Sequence, residues 1–132
     1  MMSEVGGRRV LVVEDEPEIM NLLRELLMRN DYEIIEARHG AEALVQLTGS
    51  EQYIPDAVIL DINLPLEGGI GVLRFLRETL RSTTPVIVLT ASATEEQEHE
   101  IERLGVSAYL RKPASSEVIL SELSRLIGPG SS

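Results

Sequence analysis

Short, wholly apolar runs alternate along this chain with longer stretches in which apolar residues recur every three or four positions. Val10-Leu11-Val12-Val13, bounded by charges, has the make-up of a strand buried on both faces. Pro17 stands at a helix N1 position, and Ile19, Leu22, Leu23, Leu26 and Leu27 share one helical face. Asn30-Asp31 breaks that helix. Tyr32 to Ala37 reads as a second strand, and Gly40 to Leu47 as a short helix with Ala43, Leu44 and Leu47 inward. Pro55-Asp56 introduces a third strand, Ala57-Val58-Ile59-Leu60, which ends at Asp61. Gly68-Gly69 opens a helix carrying Ile70, Leu73, Leu76 and Leu80. Pro85 starts a fourth strand, Val86 to Leu89, ending at Thr90. Thr94 caps a helix to Leu104, with Gln97 placed to complete a capping box, and Gly105 ends it. Ala108-Tyr109-Leu110 is a short fifth strand. Ser115 or Ser116 caps a last helix bearing Ile119, Leu120, Leu123, Leu126 and Ile127.

Strands alternating with helices in this way predict an α/β domain whose parallel sheet is covered on both faces by right-handed crossovers. The economical arrangement is a flavodoxin-like (βα)5 three-layer sandwich of strand order 2-1-3-4-5. That order is borrowed from known doubly wound folds and not deduced from this chain. Ligands in such sheets sit at the carboxyl ends of the strands, beside the switch point between strands one and three.

The chain has 132 residues, one domain by length. Residues 8–128 are expected to form it, with 1–7 and 129–132 as flexible tails rich in Gly, Ser and Pro. No output domain follows, so the chain is read as either a complete single-domain protein or a piece of a longer one. With no cysteine there are no disulfides, thiolate nucleophiles or Cys-based metal sites. No apolar run approaches the roughly 18–20 residues of a membrane span, and a soluble, cytoplasmic protein is expected. A net charge of −10 opposes direct nucleic-acid binding and suits cations or basic protein surfaces.

Polar residues gather just past the strand ends: Glu14 and Asp15 after strand one, Asp61 at strand three, Thr90 at strand four, Lys112 after strand five. Two unit charges about 5 Å apart repel by about 3 kcal/mol at an effective dielectric near 20. Three carboxylates in one crevice therefore call for a proton or a cation. A hard ion, Mg²⁺ (or Mn²⁺), is the natural partner, with Asp15 and Asp61 as direct ligands, Glu14 through a water and the Asn63 backbone carbonyl as a further oxygen. Lys112 would reach Asp61 or an incoming phosphoryl oxygen, and Thr90 would donate its hydroxyl to one. A carboxylate so placed can be a nucleophile that forms an aspartyl phosphate.

From about Arg8 to Gly128 the chain resembles the response-regulator receiver family of two-component signalling. The motifs are Val10 to Pro17 with its Glu-Asp pair, Val58 to Pro65 with Gly69, Pro85 to Ala91, and Tyr109-Leu110-Arg111-Lys112-Pro113. The resemblance implies that Glu14 and Asp15 are the acidic pair, Asp61 the phosphoacceptor, Thr90 the switch hydroxyl, Tyr109 the switch aromatic and Lys112 the phosphate-contacting lysine. It implies a cis Lys112–Pro113 bond, and a signalling switch that assists its own phosphorylation and dephosphorylation without being an enzyme of another substrate. The chain departs from the family where Glu14 replaces the more common Asp, Gly68 a polar residue and Ala114 an aromatic one. The resemblance also implies that Asn63 and Ser92 flank the site where side chains tune aspartyl-phosphate lifetime, and it leaves that lifetime open.

On the switch reading, Thr90 moves to meet the phosphoryl group and Tyr109 turns into the space vacated. The helix 94–104, with few apolar anchors before Ile101, is the expected moving part. Partners or an output domain, or a second copy, would read the face of helix four, strand five and helix five. His39 and His99, the only histidines, read as surface residues, so the donor histidine must belong to a sensor histidine kinase or a histidine phosphotransfer domain. Pro65 and Gly69 read as turn residues. Flavin binding is opposed by Glu14-Asp15-Glu16 where a phosphate loop would be needed, and an aspartate-nucleophile phosphatase by Asn63 in place of a second carboxylate. The remaining alternative is a receiver used only as a phosphorylation-independent interaction module.

Overall fold

Every strand of the sheet is parallel to its neighbour. The computed structural model describes residues 7–49 and 54–131. Its strands are β1 (Arg9–Val13), β2 (Glu33–Ala37), β3 (Ala57–Asp61), β4 (Val86–Thr90) and β5 (Ala108–Arg111). They lie in one sheet in the order β2-β1-β3-β4-β5, the 2-1-3-4-5 order expected. The helices are α1 (Pro17–Arg29), α2 (Gly40–Leu47), α3 (Gly68–Arg74), α4 (Glu95–Leu104) and α5 (Ser116–Ile127).

Side chains alternate across each strand and so build two cores. Val10, Val12, Ile59 and Ile87 face α1 and α5, where they meet Leu23, Leu27, Ile119 and Leu123. Leu11, Val13, Val58, Leu60 and Val88 face α2, α3 and α4 through Ala43, Leu73, Leu76 and Ile101. β1, β3 and β4 are buried almost throughout, whereas edge strand β5 alternates half-buried Ala108 and Leu110 with exposed Tyr109 and Arg111. Each large aliphatic side chain so buried contributes about 1.5–3 kcal/mol. Central strands fixed on both faces give the strand tips a rigid footing.

Local signals placed the helix starts well. Thr94 accepts from the Gln97 backbone N–H while the Gln97 side chain accepts from the Thr94 N–H, closing the capping box. Of the two serines, Ser115 caps α5, accepting from Val118 N–H. Several expectations need correction. The third helix does not run evenly to Leu80: a 3₁₀ turn over Pro65–Glu67 precedes it, α3 ends at Arg74, and a π-helical turn over Phe75–Thr79 follows. Leu80, expected inward, is exposed beyond that turn, and Leu22 is exposed on α1 because the inward face needs only Met20, Leu23 and Leu27. Tyr32 precedes β2 and donates its hydroxyl to the Gly128 carbonyl at 2.8 Å. The end of the chain, expected loose over 129–132, is seated as far as described: Gly130 is buried and its carbonyl accepts from Arg8 N–H at 2.9 Å. Residues 1–6 and 132 of the expected tails lie outside the described residues.

Gly69 is more than a turn residue. It lies in the first turn of α3, hard against the end of β3. A Cβ there would strike the Asp61 carbonyl oxygen and come within 2.6 Å of Ile62 Cα. The missing side chain thus lets α3 approach the strand tip that carries Asp61. Gly71, one turn position on, faces open space. Gly69→Ala should therefore lower the free energy of urea unfolding by about 1–3 kcal/mol. Gly71→Ala should raise it by about 0.5–1 kcal/mol. Equal effects at the two positions would show that the close approach at Gly69 is not what sets its identity.

Candidate functional site

The carboxyl ends of β1, β3 and β4 and the segment after β5 converge where the strand order reverses. Glu14 follows β1 directly; its N–H donates to the Ala37 carbonyl of β2 at 3.0 Å, which continues the ladder one residue past the strand. Its side chain is consequently drawn inside, only 1% exposed. Asp61, the last residue of β3, is 1% exposed as well. Asp15 and Glu16 form the exposed rim. Carboxylate oxygens of Glu14, Asp15, Glu16 and Asp61 all lie within 4.8 Å of one another.

Lys112 follows β5 and is held by its own N–H on the Thr90 carbonyl at 2.8 Å; its peptide bond to Pro113 is cis. Its Nζ lies 2.9 Å from Glu14 Oε1, 3.2 Å from Glu16 Oε2 and 3.3 Å from Asp61 Oδ2. Glu14 Oε1 is thus buried against the Lys112 ammonium, with no second partner among the described residues. The other oxygen, Oε2, accepts from Glu16 N–H at 3.1 Å. Burial, reinforced by the nearby Asp61 carboxylate, pushes the Glu14 carboxyl up to about 7 against the pull of Lys112 and the Glu16 amide. Burial works against the charge on Lys112, but Glu14, Asp61 and Glu16 more than offset it and hold its ammonium above the usual range.

Asn63 donates its N–H to Asp61 Oδ1 at 2.8 Å. Thr90, 1% exposed, gives its hydroxyl to Asn63 Oδ1 at 2.8 Å and the Ser92 carbonyl at 2.7 Å. Tyr109 is turned outward on β5, its hydroxyl 3.4 Å from Glu98 Oε2 of α4. Its placement away from the strand tips is what the edge position of β5 allows. The sequence reading missed Glu16 as a member of the cluster, although it completes the acidic run after β1. It gave the Asn63 side chain no contact with Thr90 or the loop after β4, naming it only as a position bearing on aspartyl-phosphate lifetime. His39 is exposed, and its Nδ1 accepts from Glu42 N–H as the cap of α2; His99 is exposed on α4.

The donor set is oxygen only, and this fits a hard divalent cation better than a soft one. A sequence model of the response regulator receiver domain covers residues 10–124. The chain belongs to the response regulator receiver family. Among its relatives, the polar-differentiation response regulator DivK of Brucella ovis is 35% identical over 123 residues, covering 92% of this chain and 97% of DivK. Transcriptional regulatory protein ResD of Bacillus subtilis is 35% identical over 126 residues, 96% of this chain but 50% of ResD, so this receiver spans about half of that relative's length. The phosphorylated cyanobacterial phytochrome response regulator RcpA superposes with a TM-score of 0.78 at 27% identity, over 92% of this chain and 95% of RcpA.

The raised Glu14 carboxyl carries a pH signature in the metal-free receiver. An acid whose folded value stands above its ordinary 4.5 stabilises the fold while protonated, and that contribution disappears as pH rises from about 4.5 through about 7. Between pH 5 and pH 8, metal-free wild type should lose about 1–3 kcal/mol relative to Glu14→Gln in urea unfolding. Parallel pH profiles for the two proteins would contradict the assignment.

Proposed function

We propose that this receiver takes a phosphoryl group onto Asp61 from a phosphohistidine of a sensor histidine kinase or histidine phosphotransfer domain. The observation that carries the reading is the placing of Asp61, a buried carboxylate at the end of a central strand with Oδ2 3.3 Å from the Lys112 ammonium, inside an acidic cluster. An Asp61 oxygen would attack phosphorus as the P–N bond to the donor imidazole breaks, the bonding pair leaving on the imidazole nitrogen. Positioning and charge neutralisation supply most of such catalysis. Glu14, Asp15, Asp61 and the Asn63 carbonyl would hold Mg²⁺ or Mn²⁺. Bound there, the ion supplies positive charge against the phosphoryl oxygens. Lys112 would exchange a carboxylate oxygen for a phosphoryl oxygen, and the buried Thr90 hydroxyl would do the same from its present acceptors.

The switch follows from what anchors α4. Ile101 and Leu104 fix its second half in the core, and Glu100 is gripped by Arg103 and by Arg74 of α3. Its first turn, Glu95 to Glu98, is exposed apart from half-buried Gln97 and rests on the Thr94 capping box. Movement of Thr90 would therefore be transmitted to the front of α4, with Tyr109 turning inward as Glu98 departs. The α4/β5/α5 face would then present a different surface to a target protein, an output domain or a second copy.

Incubation with Mg²⁺ and a small acyl-phosphate donor, followed by intact mass, tests the phosphoacceptor. Wild type and Asp56→Asn should each gain a single phosphoryl group, and Asp61→Asn none. Asp56 is a suitable comparison because its exposed carboxylate caps the Arg9 N–H at 2.7 Å, at the far end of the sheet from the site. An adduct that survives in Asp61→Asn would place the chemistry elsewhere.

A further inference from the structure

The side chain of Asn63 holds the loop between β4 and α4 along both of its edges. Its Oδ1 accepts from the Thr90 hydroxyl at 2.8 Å, from Ala91 N–H at 2.8 Å and, more weakly, from Ser92 N–H at 3.4 Å. Its Nδ2 donates to the Ser92 carbonyl at 2.6 Å. The same Ser92 carbonyl accepts from Thr90, whose single hydroxyl proton is thus divided between two acceptors that lie within one clasp. The backbone N–H of Asn63 meanwhile sits on Asp61 Oδ1. One residue therefore bridges the carboxylate read above as the phosphoacceptor and the segment that must move when it is modified.

The chemistry specifies an amide. The loop offers N–H donors and a hydroxyl on one side and a carbonyl acceptor on the other. Asn presents an acceptor and a donor from one planar group, whereas a carboxylate could serve only the donors. Both bonds of the buried Thr90 hydroxyl would have to be given up before it could swing to a phosphoryl oxygen, and the exposed Ala91 and Ser92 groups would leave the clasp for water as the loop followed.

We propose that Asn63 is a positioning residue that latches the β4–α4 loop in its resting place, and so sets how rarely the unphosphorylated receiver visits the switched state. The inference rests on the reading of Asp61 and Thr90 given above. It assigns to the Asn63 side chain a role separate from the backbone carbonyl suggested as a metal oxygen. Where the competent state is only fractionally populated, apparent affinity for a ligand that selects it falls by that fraction. Cutting the latch raises the fraction. Removal of Asn63 should therefore strengthen binding of a phosphate mimic, while ordinary structural damage, or a direct contact from Asn63 to the phosphoryl group, would weaken it.

Two measurements on the whole chain separate the possibilities. In the metal-free, unphosphorylated protein, amide hydrogen exchange at Ala91, Ser92 and residues 94–98 should accelerate about five-fold or more in Asn63→Ala, with the sheet amides unchanged. Asn63→Asp, which keeps the acceptor but loses the donor to Ser92, should give a smaller increase and serves if the alanine variant does not fold. Titration with beryllofluoride and Mg²⁺, followed by the amide signals of residues 90–98, should show half-saturation at about five-fold lower beryllofluoride in Asn63→Ala than in wild type. Unchanged loop exchange in both variants, or a uniform increase over the molecule, would overturn the latch, as would weaker beryllofluoride binding by Asn63→Ala. Failure of wild type to bind beryllofluoride at all would overturn the phosphoacceptor reading instead, and the exchange measurement would still decide the latch.

Discussion

Negative charge held below the surface, around a single ammonium, governs the arrangement of this molecule. Glu14 and Asp61 are both almost fully buried, and Lys112 Nζ stands within 3.3 Å of each. One positive charge cannot balance two buried carboxylates and the Asp15 and Glu16 rim. Burial first, and the neighbouring Asp61 carboxylate after it, raise Glu14 to about 7. Such a cluster persists only where the surrounding fold over-determines it. Here β1, β3 and β4, buried on both faces, supply that rigidity, and the bare backbone at Gly69 lets α3 close against the end of β3.

The same crowding links chemistry to movement. Every group that could receive a phosphoryl oxygen is already committed in the resting structure: Lys112 to carboxylates, and the Thr90 hydroxyl to Asn63 and Ser92. A new anion at Asp61 would compete for these donors and so be felt in the β4–α4 loop. The front of α4, tied down by its capping box and little else, is the compliant element next in line. The back of α4 stays with the core through Ile101 and Leu104 and with α3 through the Arg74–Glu100 pair. On the proposed switch, motion would thereby be confined to one end of one helix.

Much of this was legible in the chain itself. The apolar runs are short and unbroken because the central strands are covered on both faces, and the capping box at Thr94 and Gln97 is visible because its partners are three residues apart. The strand-tip residues Glu14, Asp15, Asp61, Thr90 and Lys112 could be named since a parallel sheet sends all its carboxyl ends to one side. What escaped depends on partners far along the chain. The Asn63 clasp closes on residues 27–29 positions away, and its geometry is set by the loop after β4. Gly69 resembles a turn glycine until the end of β3 is seen against it. The π-helical turn after Arg74 and the exposure of Leu22 reflect how the helices settle on the sheet, which local periodicity does not record. The seated end of the chain at Gly130 likewise needs the Arg8 backbone beside it.

The most direct test of the buried-charge account is a titration of the metal-free protein with Mn²⁺, reading the free ion by electron paramagnetic resonance. The account predicts a single site per chain, strongly weakened in Asp15→Asn, and tightened in Lys112→Met because the competing ammonium is gone. Absence of a site at millimolar ion, or binding indifferent to both substitutions, would contradict it.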